Sequence, residues 1–544
     1  MSAMARPSHV VRSRPPTPGP DETVDQPVTL VRSPDEVTRY LEDAAHFTGG
    51  HADSVGRPRT EADVSGLLRT ASRVLPIGAQ SSVTGGATPD GGLVISTERL
   101  TSIQEWGQDH FRVGAGVPLS VLQKLLAEQG RWYAPTPTFT GAFLGGVVST
   151  NAAGAATFKY GTTRAWVDGL TVVLACGQVL DIARGDVTAK DTGALDIHCP
   201  HGLHHVQIGT YRMPDVPKCS AGYFAAPGMD LIDLFIGSEG TLGVLVDATI
   251  RVRPARPAVA LALVPVGAES DALALVDELR RESRATWASG DPRGIDVAAI
   301  ESMDRRSLAI LREDRVDRQQ DVSIPDTATV ALLIQLELPA GTTAATTRDQ
   351  IADARSASAP DSAIGRFCHL LDRRGLFDDT EMAMPGDTRR AEAFLAVREA
   401  VPAGVNRRAG DAKRLVDPRI EKTAADMIVP FDRFAEMSAI YREGFERRGL
   451  DYAIWGHLSD GNVHPNVIPR TYADVVAGRE AILEFGREAA RLGGCPLAEH
   501  GVGRSSIKQA LLREFYGEGA IAEMRAIKRA LDPEGKLAPG VICS

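Results

Sequence analysis

The feature that most constrains this chain is where its glycines fall. Of 53 glycines in 544 residues, 25 lie between positions 78 and 254. Glycine supplies no side chain to a core and loses more backbone freedom on folding than any other residue. A segment this rich in it must gain something else. The glycines sit in short blocks between apolar, strand-like runs, such as 92–96, 111–114, 170–175 and 244–252. Such blocks permit close approach of backbone to other backbone or to a bound anion.

Bulk properties exclude several classes. Hydrophobic residues make up 43% and charged residues 24%, as in an ordinary globular protein. The formal charge of −10 argues against a nucleic-acid binder, which needs a basic surface for phosphates. No apolar run approaches the ~18–20 residues of a membrane span. The first 25 residues are rich in Pro and Arg and lack the apolar segment of a secretory signal. Residues 1–30 therefore read as a disordered tail. Six scattered cysteines without a CxxC pair suit reduced thiols. The expectation is a cytoplasmic protein. An Arg-rich stretch at 365–419 leaves peripheral contact with the inner membrane surface open.

The apolar pattern predicts an α+β protein. Pro34-Asp35-Glu36-Val37 opens one helix, and Thr60 to Val64 opens another with a capping signal. A strand follows at 74–77 and a helix at 119–129. Beyond 256 the pattern gives strands at 259–266 and 329–336 and helices at 268–283 and 426–447. An irregular region lies between 365 and 419. That alternation predicts an antiparallel sheet covered by helices. A last helix is expected at 519–531.

Three glycine loops carry candidate chemistry. The first, Pro76 to Ala87, follows a strand and combines Gly78, Gly85 and Gly86 with Ser81, Ser82 and Thr84. Converging backbone N–H groups and small hydroxyls can cradle a phosphate. The loop lacks the lysine and spacing of a P-loop and is not GxGxxG. By itself it reads equally as a Gly/Ser turn. The second runs from Thr140 to Gly154 and continues to Tyr160-Gly161-Thr162-Thr163. The third is Ile236 to Gly243. Three such loops in one region point to an extended, phosphate-bearing cofactor.

These loops, with the strand end Val113-Gly114-Ala115-Gly116-Val117, resemble the PCMH-type FAD-binding domain of the vanillyl-alcohol-oxidase superfamily. The resemblance covers about residues 30–255. It implies that FAD is held by Ile77, Gly78, Ala79, Gln80, Ser81, Ser82, Gly85 and Gly86 of the first loop. From the second it implies Pro135, Thr140, Gly141, Gly145, Gly146, Ser149, Thr150, Asn151, Gly154, Tyr160 and Gly161. The third supplies Glu239, Gly240 and Gly243. Residues 79–82 offer no nucleophile for a covalent flavin link, so the FAD is expected to be non-covalent.

A second constellation lies near the C-terminus. Residues 456–464 read Gly-His-Leu-Ser-Asp-Gly-Asn-Val-His. Asp-Gly is a strong two-residue hairpin signal. A turn at Asp460-Gly461 would set Ser459 opposite Asn462, Leu458 opposite Val463 and His457 opposite His464. Opposed residues have Cβ atoms ~5 Å apart, close enough for two imidazoles to share one divalent metal. Two exposed hairpin histidines fit the same residues. Ala498-Glu499-His500-Gly501-Val502-Gly503 follows. Its carboxylate could complete a His₂Glu set, although Glu-His alone is a weak signal.

Taken together, GHxxDGNxH and EHGxG resemble the C-terminal half of FAD-linked D-2-hydroxy-acid dehydrogenases. This group acts on D-lactate, glycolate and D-2-hydroxyglutarate. The resemblance implies that His457, His464 and Glu499 bind a divalent metal, zinc or manganese, and that His500 accepts the substrate proton. It also sets Arg398 and Lys422 toward the substrate carboxylate, although solvated helix charges fit the same two residues, and Asn462 either contacts the substrate or holds the turn. Ser459 stands where the group often has Gly, and Ala538 where it often has Asn. Residues 256–390 match poorly.

The expected organisation is a tail (1–30), an FAD-binding PCMH-type domain (31–255), a substrate or cap domain (256–495) and a C-terminal segment (496–544) that returns to the flavin site. The expected reaction is oxidation of a small D-2-hydroxy acid to the 2-oxo acid. Electrons would pass to a quinone, an electron-transfer flavoprotein or oxygen. A homodimer is compatible with the sequence. Rival readings are an alkylglycerone-phosphate-synthase-like flavoenzyme, a flavin-free metallohydrolase and a non-catalytic flavin-binding module.

Overall fold

The computed structural model describes residues 12–14, 28–135, 137–199, 202–356 and 361–543. Of the tail expected at 1–30, only 12–14 and 28–30 fall among them, and the rest lies outside the described residues. The chain divides into two compact units. The first comprises Met1–Gly154, Gly161–Pro254 and Leu497–Ser544, and the second Ala155–Tyr160 and Ala255–Pro496.

The first unit carries a six-stranded antiparallel sheet. Its order is Arg12–Arg14, Val179–Ala183, Val167–Val173, Val244–Arg251, His110–Gly114 and Ile103–Glu105. A smaller parallel sheet holds Ser54–Gly56, Leu93–Ser96 and Val74–Ile77, with Leu93–Ser96 in the middle and wholly buried. A continuous Leu-Val-Ile run suits a strand covered on both faces. The helix Glu61–Thr70 starts at Thr60 with a reciprocal capping box to Asp63. The C-terminal residues reach this sheet, since Val74 N–H donates to Lys536 O at 2.8 Å and Ala538 N–H to Val74 O at 2.7 Å.

The second unit is built on an eight-stranded antiparallel sheet. Its order is Glu381–Ala383, Ala258–Val266, Val330–Leu338, Val297–Met303, Tyr452–His457, Asn462–Val467 and Thr423–Ala424, with Met427–Ile428 also pairing Asn462–Val467. Leu261, Leu263, Met303, Leu333 and Trp455 from the sheet pack with Leu308 and Leu311 of the helix Arg305–Glu313. Phe394, Val397 and Val401 of the helix Thr388–Leu415 complete this core. Each such buried side chain contributes about 1.5–3 kcal/mol. The molecule is α+β, with the antiparallel sheet and covering helices expected from the sequence.

Three local expectations need correction. The 365–419 region is not irregular but holds the helices Ala363–Arg373 and Thr388–Leu415. The apolar stripe Phe394, Val397, Val401 and Val405 has helical spacing, masked in sequence by the arginines around it. The helix expected from 426 begins only at Phe434. Met427–Ile428 is taken as a strand against Asn462 and Val463, and Pro430 disfavours helix in the residue before it. The last helix starts at Ser506, not 519, with a break at Gly517 (φ 80°, ψ 165°). No helix among the described residues is long and apolar enough to cross a membrane.

Candidate functional site

The histidine hairpin of the second unit forms, but in another register. His457 pairs with Asn462 and Trp455 with His464, so the connection is the four residues 458–461 and not Asp460-Gly461 alone. Leu458–Asp460 makes a 3₁₀ turn, and Gly461 closes it at φ 81°. The cause is Ser459. It is fully buried, its Oγ accepts from Ile300 N–H at 3.1 Å, and its carbonyl accepts from the Arg280 guanidinium. The shift is two residues, and an even shift leaves every side chain on its face. His457, Asn462 and His464 therefore share one face. The two imidazoles are diagonal neighbours, with ring centroids 5.4 Å apart at 89°.

Residues distant in sequence complete this face. Glu301, on Val297–Met303, lies opposite His457 and accepts a hydrogen bond from its Nδ1. The other Glu301 oxygen accepts from Arg398 Nε at 2.8 Å. Burial opposes ionisation of Glu301, but the adjacent Arg398 and His457 hold its carboxyl far below the usual range. Arg398 is itself buried, with Nη1 3.2 Å from Glu399. Asp426 lies 3.5 Å from His464 Nδ1 and accepts from Asn462 Nδ2 at 3.0 Å. Lys422, by contrast, is exposed.

Asn466 lies two residues beyond His464 on the same face, and its amide donates to His464 O at 2.9 Å. The Oδ1 atoms of Asn462 and Asn466 are buried and have no hydrogen-bond partner among the described residues. An unsatisfied buried acceptor costs about 1–3 kcal/mol. The Asn462 acceptor lies opposite His457 and two residues from His464, whereas Asn466 lies opposite Ala453, so the orphaned acceptor that adjoins both imidazoles is that of Asn462. Asp426 and His464 have ligand atoms within 4.8 Å of one another, close enough for one cation, and the carboxylate on His457 Nδ1 leaves the lone pair on Nε2.

The Glu-His-Gly segment belongs to the first unit. Glu499 Oε2 accepts from the buried Lys218 Nζ at 3.0 Å. His500 Nε2 stands 3.3 Å from Glu499 Oε1, and its side chain is 37% exposed. The segment is tied down from both sides. Gly501 N–H donates to Ser220 Oγ at 3.1 Å, and the N–H groups of Val502 and Gly503 donate to the Glu239 carboxylate at 2.7 and 2.8 Å. Burial raises the Glu239 pKa to about 6, although these two N–H groups pull it down. Arg504 N–H donates to Thr84 O at 3.0 Å. A Cβ on Gly503 (φ +58°) would lie 2.2 Å from Thr84 Oγ1, so only glycine fits. The first and third glycine loops thus hold the EHGxG backbone.

The loops themselves explain the glycine excess in two ways. Gly145 N–H donates to Ala115 O at 2.8 Å, and a Cβ on Gly145 would lie 2.7 Å from Ala115 Cβ. Gly240 and Gly243 are equally hemmed in, by Pro76 and Val172. Packing requires these three. Gly146 has nothing within 4 Å of a built Cβ, and Gly78 nothing closer than 3.5 Å. They leave backbone open, as an extended dinucleotide needs.

Gln80 Nε2 pins the first loop to Tyr40 O, Glu42 O and Ala87 O at 2.9–3.0 Å. Asp43, which no local sequence signal ties to this loop, accepts from Gly85 N–H at 2.7 Å. Ile77 is buried in its strand, and Ala79, Ser81, Ser82 and Gly86 are half-buried. In the second loop, Glu239 N–H donates to Ser149 O at 2.8 Å, Thr150 Oγ1 donates to Gly146 O, and Asn151 Oδ1 accepts from Arg164 N–H. Pro135 and Gly154 are buried, Thr140 is exposed, Gly141 lies against the Phe139 ring, and Gly161 has φ +71°. Tyr160 falls in the second unit, with its hydroxyl bonded to Glu337. Open backbone at Gly78 and Gly146, flanked by small hydroxyl residues, fits FAD.

Residues 52–183 match the family described as FAD binding domain, and residues 272–542 match FAD linked oxidases, C-terminal domain. The chain belongs to the FAD-linked oxidases. This FAD-linked oxidase is 26% identical to a D-lactate dehydrogenase of Archaeoglobus fulgidus, over 90% of each chain. It is 26% identical to the glycolate oxidase subunit GlcD of Bacillus subtilis (92% of this chain, 91% of that one). It is also 26% identical to a D-2-hydroxyglutarate dehydrogenase of Xanthomonas citri (94% and 93%). A solved alkyldihydroxyacetonephosphate synthase shares the fold, with TM-score 0.57 at 14% identity, covering 98% of this chain and 89% of its own. The FAD-linked oxidase is an oxidoreductase acting on CH–OH donors, which sets aside the flavin-free hydrolase.

Proposed function

We propose that the protein oxidises a small D-2-hydroxy acid of the D-lactate, glycolate or D-2-hydroxyglutarate type to the 2-oxo acid. The observation that carries this reading is the buried face of His457, Asn462 and His464 in a chain whose relatives are dehydrogenases and oxidases of such acids. When bound, FAD supplies the acceptor for the hydride that leaves C2. A divalent metal, zinc or manganese, on His457, His464 and Glu499 would supply positive charge for the substrate hydroxyl and carboxylate.

The chain's own groups do the rest. His500 accepts the hydroxyl proton as general base. Arg398 and Lys422 pair with substrate charge, and the Asn462 amide orients the substrate. Burial of Arg398 and Asn462 excludes bulk water around them, which strengthens their two contacts. The domain order expected from the sequence, with residues 496–544 returning to the flavin, belongs to the same reading. So do non-covalent FAD, a homodimer and a quinone, flavoprotein or oxygen acceptor.

The test is anaerobic bleaching of the bound flavin by a panel of D- and L-2-hydroxy acids. Rapid bleaching by one D-acid, with formation of its 2-oxo acid, is the expected result. A yellow protein that no hydroxy acid reduces would overturn the reading and turn attention to non-oxidative flavin chemistry.

A further inference from the structure

We propose that Glu301 is a positioning residue for the metal: by accepting the Nδ1–H of His457 while Arg398 holds it in place, it fixes the imidazole in the one tautomer and orientation that present Nε2 as a ligand. The inference rests on the metal-assisted reading above and deepens it.

A neutral imidazole has two tautomers, and the nitrogen without the proton is the one that can ligate. An ionised carboxylate only accepts hydrogen bonds, so Glu301 on Nδ1 selects the Nδ1–H form. Glu301 cannot easily turn away. Its second oxygen is taken by Arg398 Nε at 2.8 Å, and its strand is paired with that of His457 at this position. Exposures of 7% for Glu301, 9% for Arg398 and 2% for His457 keep water from replacing these bonds. Glu301 comes from a strand 156 residues upstream, which is why the histidine motif gives no sign of it. The contrast with His464 is informative. The carboxylate beside its Nδ1, Asp426, lies at 3.5 Å and already accepts from Asn462. Orientation by a direct carboxylate bond is therefore strongest at His457. Arg398 acquires a second duty, since its Nε serves Glu301 whatever its other nitrogens do.

The experiment uses the full-length, FAD-loaded protein stripped of metal with a chelator. Manganese(II), and separately zinc(II), is titrated into the wild type and Glu301→Gln, and bound and free ion are measured directly. Affinity should fall about 10–100-fold in Glu301→Gln, the usual effect of removing such an outer partner, with flavin content unchanged. In the metal-free wild type, ring ¹⁵N shifts of labelled histidine should report His457 as the Nδ1–H tautomer, assigned by its loss in His457→Gln. Equal affinity in wild type and Glu301→Gln, or the Nε2–H tautomer in the wild type, would overturn the role of Glu301 alone. A wild type that binds neither ion would overturn the metal-assisted reading and this inference with it. If Glu301→Gln does not fold, the tautomer measurement decides.

Discussion

Glu239 and Gly503, 264 residues apart, are joined by a 2.8 Å hydrogen bond from the glycine N–H to the carboxylate. With the second bond from Val502, one side chain fixes the backbone after His500. Glu239→Ala would strand two N–H groups, each costing about 1–3 kcal/mol when left unbonded away from water. A lower urea midpoint and weaker flavin retention are expected. Unchanged values for both would show that the pairing is dispensable.

The two adjacent glycines of the second loop should separate packing from cofactor approach. Gly145→Ala forces a Cβ to 2.7 Å from that of Ala115, and such overpacking costs about 1–3 kcal/mol. Gly146→Ala meets nothing within 4 Å, so the flavin-free protein should fold normally. It should even gain up to about 1 kcal/mol from better helix propensity. If the open face is where FAD lies, Gly146→Ala nonetheless binds it more weakly. Titration of apoprotein with FAD reads this, and wild-type affinity in Gly146→Ala would count against the cradle.

Asp304 caps the helix Arg305–Glu313 through Ser307 N–H at 2.8 Å, and burial pushes its pKa up to about 6. The folded pKa lies above the ordinary value of 3.8. The protonated form is thus favoured by folding, and its stabilisation is complete below pH 3.8 and lost as pH rises through about 6. The loss is on the order of 3 kcal/mol. Asp304→Asn keeps a capping side chain without the titration. Its stability relative to wild type should rise between pH 4 and 7, as measured by chemical denaturation across that range. A constant difference would contradict the assignment.

His500→Ala tests the proton acceptor. A general base contributes about 10²–10⁴-fold, and anaerobic single-turnover reduction of the flavin should slow by that order. Flavin content should not change. Wild-type reduction kinetics would remove His500 from the mechanism.

Much of the fold was readable because its signals are local. The Leu-Val-Ile strand, the Thr60 capping box and the apolar pattern of Val259 to Val266 each carry their cause within a few residues. The histidine face was readable for a subtler reason. The pairing lies two residues from the register that Asp-Gly suggests, yet parity preserves the face. What stayed hidden is non-local. Glu301, Asp426, Asp43 and Lys218 are ordinary charged residues in sequence. They acquire meaning only when strand pairing and loop packing bring them to His457, Asn462, Gly85 and Glu499. Ser459 misled the turn because its partner, Ile300 N–H, is 159 residues away.

The bonds of Val74 to Lys536 and Ala538 set a timetable for synthesis. A ribosome adds about 5–20 residues per second, so these late partners emerge roughly half a minute to a minute and a half after Val74 has been made. Throughout that interval the edge of the parallel sheet lacks these two bonds. Because residues 497–544 belong to the first unit, that unit is complete only after this region has been translated.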